Sequence, residues 1–303
     1  MGLRKDIWRP AIVRAPLSEI LERGGIEGLP FVWLPESKPF CFLADPFGLW
    51  RDELLHVFVE TYDYRVRVGA IEVLRYDADL VLIDREIVLS EPWHLSYPFV
   101  FEADGETWML PEAHRSGKLT LYRADPFPHR WIAEAVIELD HVAVDATPIF
   151  FEGRWWLFHA SADNEPDKTG ALFAAFADRL TGPWTPHPAN PIRRDIASTR
   201  PGGTPIVRDG RVILPVQDCA RTYGGAIRPL RIERLDTAHF TADAGAAIVP
   251  PEAMAPYLEG LHTLAAAGDV TLVDVKRRVL SPHGLAIEVR RHGRRLASRA
   301  WRR

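Results

Sequence analysis

Apolar and polar positions in this chain follow the short alternation of strands rather than the longer period of helices. Runs such as "AIEVLRYDADL", "LTLYRADPF", "ALFAAFAD" and "IRPLRIERLD" are brief, and several alternate as strands with one covered face do. Four longer segments repeat one design: "ADPFGLWRDELLHVFVE" (44–60), "SYPFVFEADGETWMLPE" (96–112), "VDATPIFFEGRWWLFHA" (144–160) and "GGTPIVRDGRVILPVQD" (202–218). Each has a proline (Pro46, Pro98, Pro148, Pro205), an apolar run, an acidic turn pair and a second apolar run. The turn pairs are Arg51-Asp52, Asp104-Gly105, Glu152-Gly153 and Asp209-Gly210. A weaker fifth copy, "GLHTLAAAGDVTLVDVK", turns at Gly268-Asp269. Turns recur about every 50 residues, the spacing of propeller blades. Only "APLSEILERGG" and "PEAMAPYLEG" read as short helices, and no low-complexity tract divides the chain.

The pattern predicts an all-β protein: one five-bladed β-propeller domain over 1–303, with a central funnel and few short helices. The blades fall near 44–90, 94–140, 144–190, 200–240 and 258–290. The N-terminal segment 6–43 completes the last blade, and 290–303 forms a basic tail.

Composition narrows the function classes. The chain has 303 residues, 47% apolar and 26% charged, ordinary for a soluble globular protein. A formal net charge of −4 argues against nucleic acid. The arginine-rich stretch at 290–303 reads as a solvated tail. Two cysteines, Cys41 and Cys219, make no disulfide framework and fit a reducing compartment. There is no signal-peptide-like apolar core near the start and no apolar run of membrane-spanning length. The expectation is a cytoplasmic protein with no transmembrane segment.

Propeller geometry then gathers candidate chemistry. In a blade, the start of the innermost strand and the end of the next open on the same face. Asp45, Tyr97 (with His94), Asp145 and Arg200 precede first strands. Glu60, Glu112, His159, Gln217 and Asp218 end second strands, His262 lies on the fifth inner strand, and Tyr223 sits in "TYGG". Glycoside cleavage needs one protonated and one ionised carboxyl group across the anomeric carbon. Carboxylates crowded in a dry mouth raise one another's pKa. The prediction names Asp45 as base or nucleophile, Glu112 as acid and Asp145 as an orienting carboxylate. His94, Tyr97, Arg200, Gln217, Asp218, Tyr223, His262, Glu60 and His159 are the candidate sugar-binding groups. With no HxxxH, CxxC, glycine-rich phosphate loop or GxSxG, no metal or cofactor is expected.

The ordered series "FLADPFGL", "HLSYPFVFE", "WMLPE", "LYRADPFPHRW", "VDATPIF", "WWLFH", "GPWTPHPANPI", "RPGG" and "PVQDCARTYGGAI" resembles the N-terminal propeller domain of plant glucosamine inositolphosphorylceramide transferases, over about residues 8–280. In the plant proteins a separate glycosyltransferase domain follows. More distantly the pattern is similar to five-bladed glycosidases acting on arabinan, xylan and fructan, in which an acid opens the first inner strand, often before proline, as Asp45-Pro46 does here. The resemblance implies a carbohydrate or glycoconjugate ligand and a carbohydrate-active enzyme that hydrolyses or transfers a glycosyl unit. Its alternative is a non-catalytic glycan-binding module that assists a separate glycosyltransferase, with polysaccharide-biosynthesis proteins as partners.

Overall fold

The computed structural model describes residues 4–280 and 282. It contains five antiparallel sheets of four or five strands arranged as a five-bladed propeller. The innermost strands begin at Cys41–Arg51, Ser96–Ala103, Ala143–Phe151, Arg200–Pro201 with Ile206–Arg208, and Leu261–Ala267. We number the blades I to V in that order.

Two-residue turns join the first and second strands. Asp104-Gly105, Glu152-Gly153 and Asp209-Gly210 all have positive φ, the geometry whose twist matches that of the flanking strands. In blade I the turn is Asp52-Glu53, one residue beyond the expected pair, with φ of 52° and 61°. Arg51 instead pairs with Leu54 as the last rung of the ladder.

The ring closes through the N-terminus. Lys5–Val13 pairs along its whole length with Val270–Val279, and Phe31–Trp33 pairs with Ala11–Val13. Blade V therefore takes its two inner strands from one end of the sequence and its two outer strands from the other. Neighbouring inner strands run parallel: Leu264 donates its N–H to Gly202 O (2.9 Å), and Thr204 donates to Leu264 O (3.2 Å). The approach is close enough that a Cβ on Gly203 would lie 1.9 Å from Leu264 O, so only glycine fits.

Apolar layers between blades make the core. One joins blades V, I and II around Phe47, Phe58 and Leu272. Another joins II and III around Leu110 and Leu157, a third joins III and IV around Trp156 and Leu214, and a fourth joins IV and V around Ile227 and Val273. The first expected helix forms at Leu17–Arg23, whereas the second is a single 3-10 turn at Glu252–Met254. Among the described residues no helix is long and apolar enough to cross a membrane. The arginine-rich run 290–303 lies outside the described residues, and the last described strand ends at Val279.

Candidate functional site

The inner strands are bent where the candidate residues sit. Register shifts between Ala44 and Phe47, Ser96 and Phe99, and Val144 and Thr147 mark one bulge in each of blades I to III. At each bulge one non-glycine residue is left-handed: Asp45 (φ 49°), Tyr97 (45°) and Asp145 (50°). These residues therefore lie inside the inner strands rather than before them. A bulge re-aims one side chain out of the alternation, and each such backbone costs on the order of 1–3 kcal/mol. In blade V a similar shift falls at His262, between Leu261 and Thr263.

A cavity of about 350 Å³ opens at this end of the ring. Of the predicted residues, Asp45, Glu60, His94, Glu112, Asp145, Arg200, Tyr223 and His262 line it. The other four do not. Tyr97 is wholly buried as a bolt: its hydroxyl meets Thr147 Oγ1 at 2.9 Å and accepts the Gly203 N–H at 2.9 Å, tying blades II, III and IV together. Gln217 is also buried and reaches the site indirectly, donating to Asp145 Oδ2 (3.3 Å) and Pro201 O (3.0 Å). Asp218 pairs with Arg228 at 2.9 Å. His159 packs against Phe173 and His141, and burial lowers its pKa to about 3, so it is an uncharged core residue.

Asp45, His262 and Asp274 form a chain across blades I and V. Asp274 is fully buried and accepts the backbone N–H groups of Asp45 (2.8 Å) and Thr263 (2.9 Å). Its Oδ1 lies 2.7 Å from His262 Nδ1, while His262 Nε2 lies 3.5 Å from Asp45 Oδ1. Burial opposes charge on His262, but Asp274 and Asp45 outweigh it and raise its pKa. Trp8 stacks on the imidazole, ring centres 3.6 Å apart and 12° from parallel. Burial, opposed by His262 and reinforced by Asp274, pushes the Asp45 carboxyl up to about 7. One histidine and two carboxylates within 4.8 Å of one another have the composition of a metal site. Here the Asp274 oxygens and His262 Nδ1 are already used on each other and on backbone amides.

Glu60 and Glu112 are set in opposite states. Burial raises the Glu60 pKa well above the ordinary value, helped by Asp45 and Glu112. Burial also opposes ionisation of Glu112, but the His114 side chain and N–H, with the nearby His94, lower its pKa to about 2. Ser96 Oγ donates to its other oxygen at 2.9 Å. Electrostatics thus push the two carboxyl groups apart, Glu60 towards its neutral form and Glu112 towards its carboxylate, the opposite of what an acid role for Glu112 asks. Asp145 meets Arg200 Nε at 2.7 Å, with both side chains nearly inaccessible. Burial pushes the Asp145 pKa upward against that arginine. Arg200 also donates to Lys168 O (3.1 Å) and lies over Tyr223, which stands partly exposed at the rim.

His94 is fixed by backbone. Gly69 N–H donates to its Nδ1 at 2.9 Å, and burial lowers its pKa to about 4. A neutral ring accepting at Nδ1 carries its proton on Nε2, which faces Glu60 Oε1 at 3.5 Å. A Cβ on Gly69 would lie 2.4 Å from Leu95 O and 2.9 Å from Glu60 Oε1. Gly69→Ala is expected to cost about 1–3 kcal/mol of stability through overpacking and to release His94, both measurable by urea unfolding and by the His94 titration in NMR.

Sequence reasoning missed Asp274, Trp8, Asp6, Phe42, Tyr62 and Tyr64. Phe42 and Tyr62 stack at 4.9 Å, and with Tyr64 and Trp8 they make an aromatic wall along one side of the cavity. Alternation in "DIWRPAIV" could have placed Asp6 and Trp8 on one strand face.

Residues 34–247 match the family described as Glucosamine inositolphosphorylceramide transferase 1, N-terminal. The glucosamine inositolphosphorylceramide transferase 1 of Arabidopsis thaliana is 38% identical over 202 residues, 65% of this chain and 26% of that protein. The Oryza sativa subsp. indica protein of the same name is 36% identical over 201 residues, 65% of this chain and 27% of that protein. The chain thus spans about a quarter of the length of these relatives. In architecture it is similar to the catalytic domain of a Coprinopsis cinerea family 62 α-L-arabinofuranosidase, with TM-score 0.58 over 80% of this chain and 93% of that one, at 12% identity. At that identity the likeness speaks to fold alone. Fold, mouth and the match over 34–247 lead to one identification: this chain belongs to the family of the N-terminal domain of glucosamine inositolphosphorylceramide transferase 1.

Proposed function

We propose that the mouth is a carbohydrate site and that its carboxyl groups hydrolyse or transfer a glycosyl unit. The observation that carries this reading is the pair of buried acids in one cavity, with Glu60 pushed towards its neutral form by burial and Glu112 towards its carboxylate by His114. In this reading Glu60 protonates the departing oxygen. Asp45, titrating near neutrality beside His262, is the base or nucleophile. Asp145, paired with Arg200, orients the sugar, and the aromatic wall stacks on its face. No metal or cofactor enters the scheme. The structural neighbour named as an arabinofuranosidase and the glycosyltransferase relatives support a glycan or glycoconjugate as ligand. The two unpaired cysteines favour a cytoplasmic setting.

The second reading is a glycan-binding module that serves a separate glycosyltransferase of polysaccharide or glycoconjugate synthesis. The quarter-length match to the plant transferases favours it.

A panel of aryl glycosides separates the two. If Glu60 is the acid, Glu60→Gln is expected to slow release of poor leaving groups such as 4-methylphenol by about 10²–10⁴-fold. Release of 2,4-dinitrophenol, which needs no protonation, should change little. Glycan retention on an array by wild-type protein that turns over no glycoside would establish the module reading instead.

A further inference from the structure

Outside the mouth, a groove of about 540 Å³ runs along the outer edge of blade V. It follows from incomplete pairing. Phe31–Trp33 covers only Ala11–Val13. The edge beside Ile7–Pro10 is left to the connecting segment 35–41, which supplies another wall of the groove. Ile7 pairs directly with Arg277, and Arg9 lies two residues further along the same strand. Strand alternation then puts Arg9 and Arg277 on one face of the sheet.

Both guanidiniums lie against aromatic rings. The Arg9 Cζ is 4.6 Å from the Trp33 ring centre and 5.9 Å from that of Tyr257, and the Arg277 Cζ is 4.9 Å from Tyr257. Among the described residues neither is matched by a carboxylate, and the Nε of each is shielded from solvent without a hydrogen-bond partner. By contrast, Arg200 is matched by Asp145 and Arg228 by Asp218. Lys38 adds a third cation to the lining, against the single carboxylate of Glu36.

A guanidinium laid on a ring keeps its in-plane N–H edge free, and that edge fits two oxygens of one oxyanion. Two such groups with a lysine suit a tetrahedral dianion better than a carboxylate. We propose that this groove is a binding site for a phosphate or sulfate group, held between Arg9 and Arg277. Trp8, between Ile7 and Arg9 on the strand, belongs to the lining of both this groove and the acidic mouth. An anion held here requires neither turnover nor a sugar in the mouth.

Calorimetric titration of the intact protein with inorganic phosphate, against sodium chloride at matched ionic strength, tests it. Phosphate is expected to bind and to raise the melting temperature. The double change Arg9→Lys with Arg277→Lys keeps the charge but removes the forks, and should weaken binding about tenfold or more. Arg9→Gln with Arg277→Gln should abolish binding. Far-UV circular dichroism checks the fold of each variant, and the single lysine variants serve if a double variant does not fold. Glucose 1-phosphate bound more tightly than inorganic phosphate would assign the anion to a sugar, and equal affinity would assign it to the free ion; both support the site. Wild-type protein that binds phosphate no better than chloride, or folded lysine variants that bind it as wild type does, would overturn it.

Discussion

Asp45→Asn is expected to lower turnover by about 10²–10⁴-fold and, at the same time, to make the protein harder to unfold at pH 8. Both effects come from one buried carboxyl group. Its folded-state pKa is raised from 3.8 to about 7, chiefly by burial. The folded protein therefore holds this proton more tightly than the unfolded chain does. The stability it contributes is fully present below the unfolded pKa and is lost as pH rises through about 7. Asparagine keeps the shape and does not titrate. Its Oδ1 can still accept the Tyr97 N–H that now meets Asp45 at 3.2 Å. His262 retains Asp274 in the variant, so that partner still supports its charge. The gain in stability should be absent at pH 3, grow between about pH 4 and 7, and level off above. Urea unfolding of both proteins at pH 3, 6 and 8 measures it. A constant difference across the three would show that Asp45 does not titrate as proposed. Such opposition between stability and activity is common where a site is built from groups that the fold would otherwise exclude.

Arg200→Leu should have the largest destabilising effect. It strands the Asp145 carboxylate, 4% exposed, with only the longer Gln217 hydrogen bond at 3.3 Å. Removing one partner of a buried pair costs about 3–5 kcal/mol, because the remaining charge is uncompensated. Adding Asp145→Asn should restore most of that loss, since nothing charged then remains at the bulge. A double-mutant cycle in guanidinium unfolding gives the coupling directly. If Arg200→Leu alone is neutral, the pair contributes nothing to the junction of blades III and IV.

Much of the propeller was legible because its signals are local. Asp104-Gly105, Glu152-Gly153 and Asp209-Gly210 announce tight turns by residue type, and their spacing sets the blade repeat. The position of Asp45, Asp145 and Arg200 before aligned apolar runs was enough to bring them to one mouth. The roles were less legible. Glu60 and Glu112 occupy corresponding strand ends, and nothing in either segment tells which is pushed towards its neutral form. That depends on His114, two residues beyond Glu112, folding back onto it, and on burial dominating at Glu60, where no such donor cluster is found among the described residues. His159 looks equivalent in sequence but turns into an aromatic layer. Asp274 was invisible for a different reason. It lies inside the apolar run "VTLVDVK", and its purpose appears only when the Asp45 N–H, 229 positions away, is found hydrogen-bonded to it.

The closure of blade V bears on when the site can exist. Trp8 and Asp6 reach the mouth from the first described strand and His262 from the last but one, with Asp274 and Lys276 behind it on the last. Lys276 is fully buried, with its ammonium over the Trp8 ring at 5.1 Å and reaching Asp6 at 3.3 Å. A nascent chain that has emerged only as far as blade IV would have most of its hairpins but a gap where the imidazole and its indole cover belong. Competence thus arrives in one late zippering event, and a single proteolytic nick that frees residues 5–13 should extinguish it.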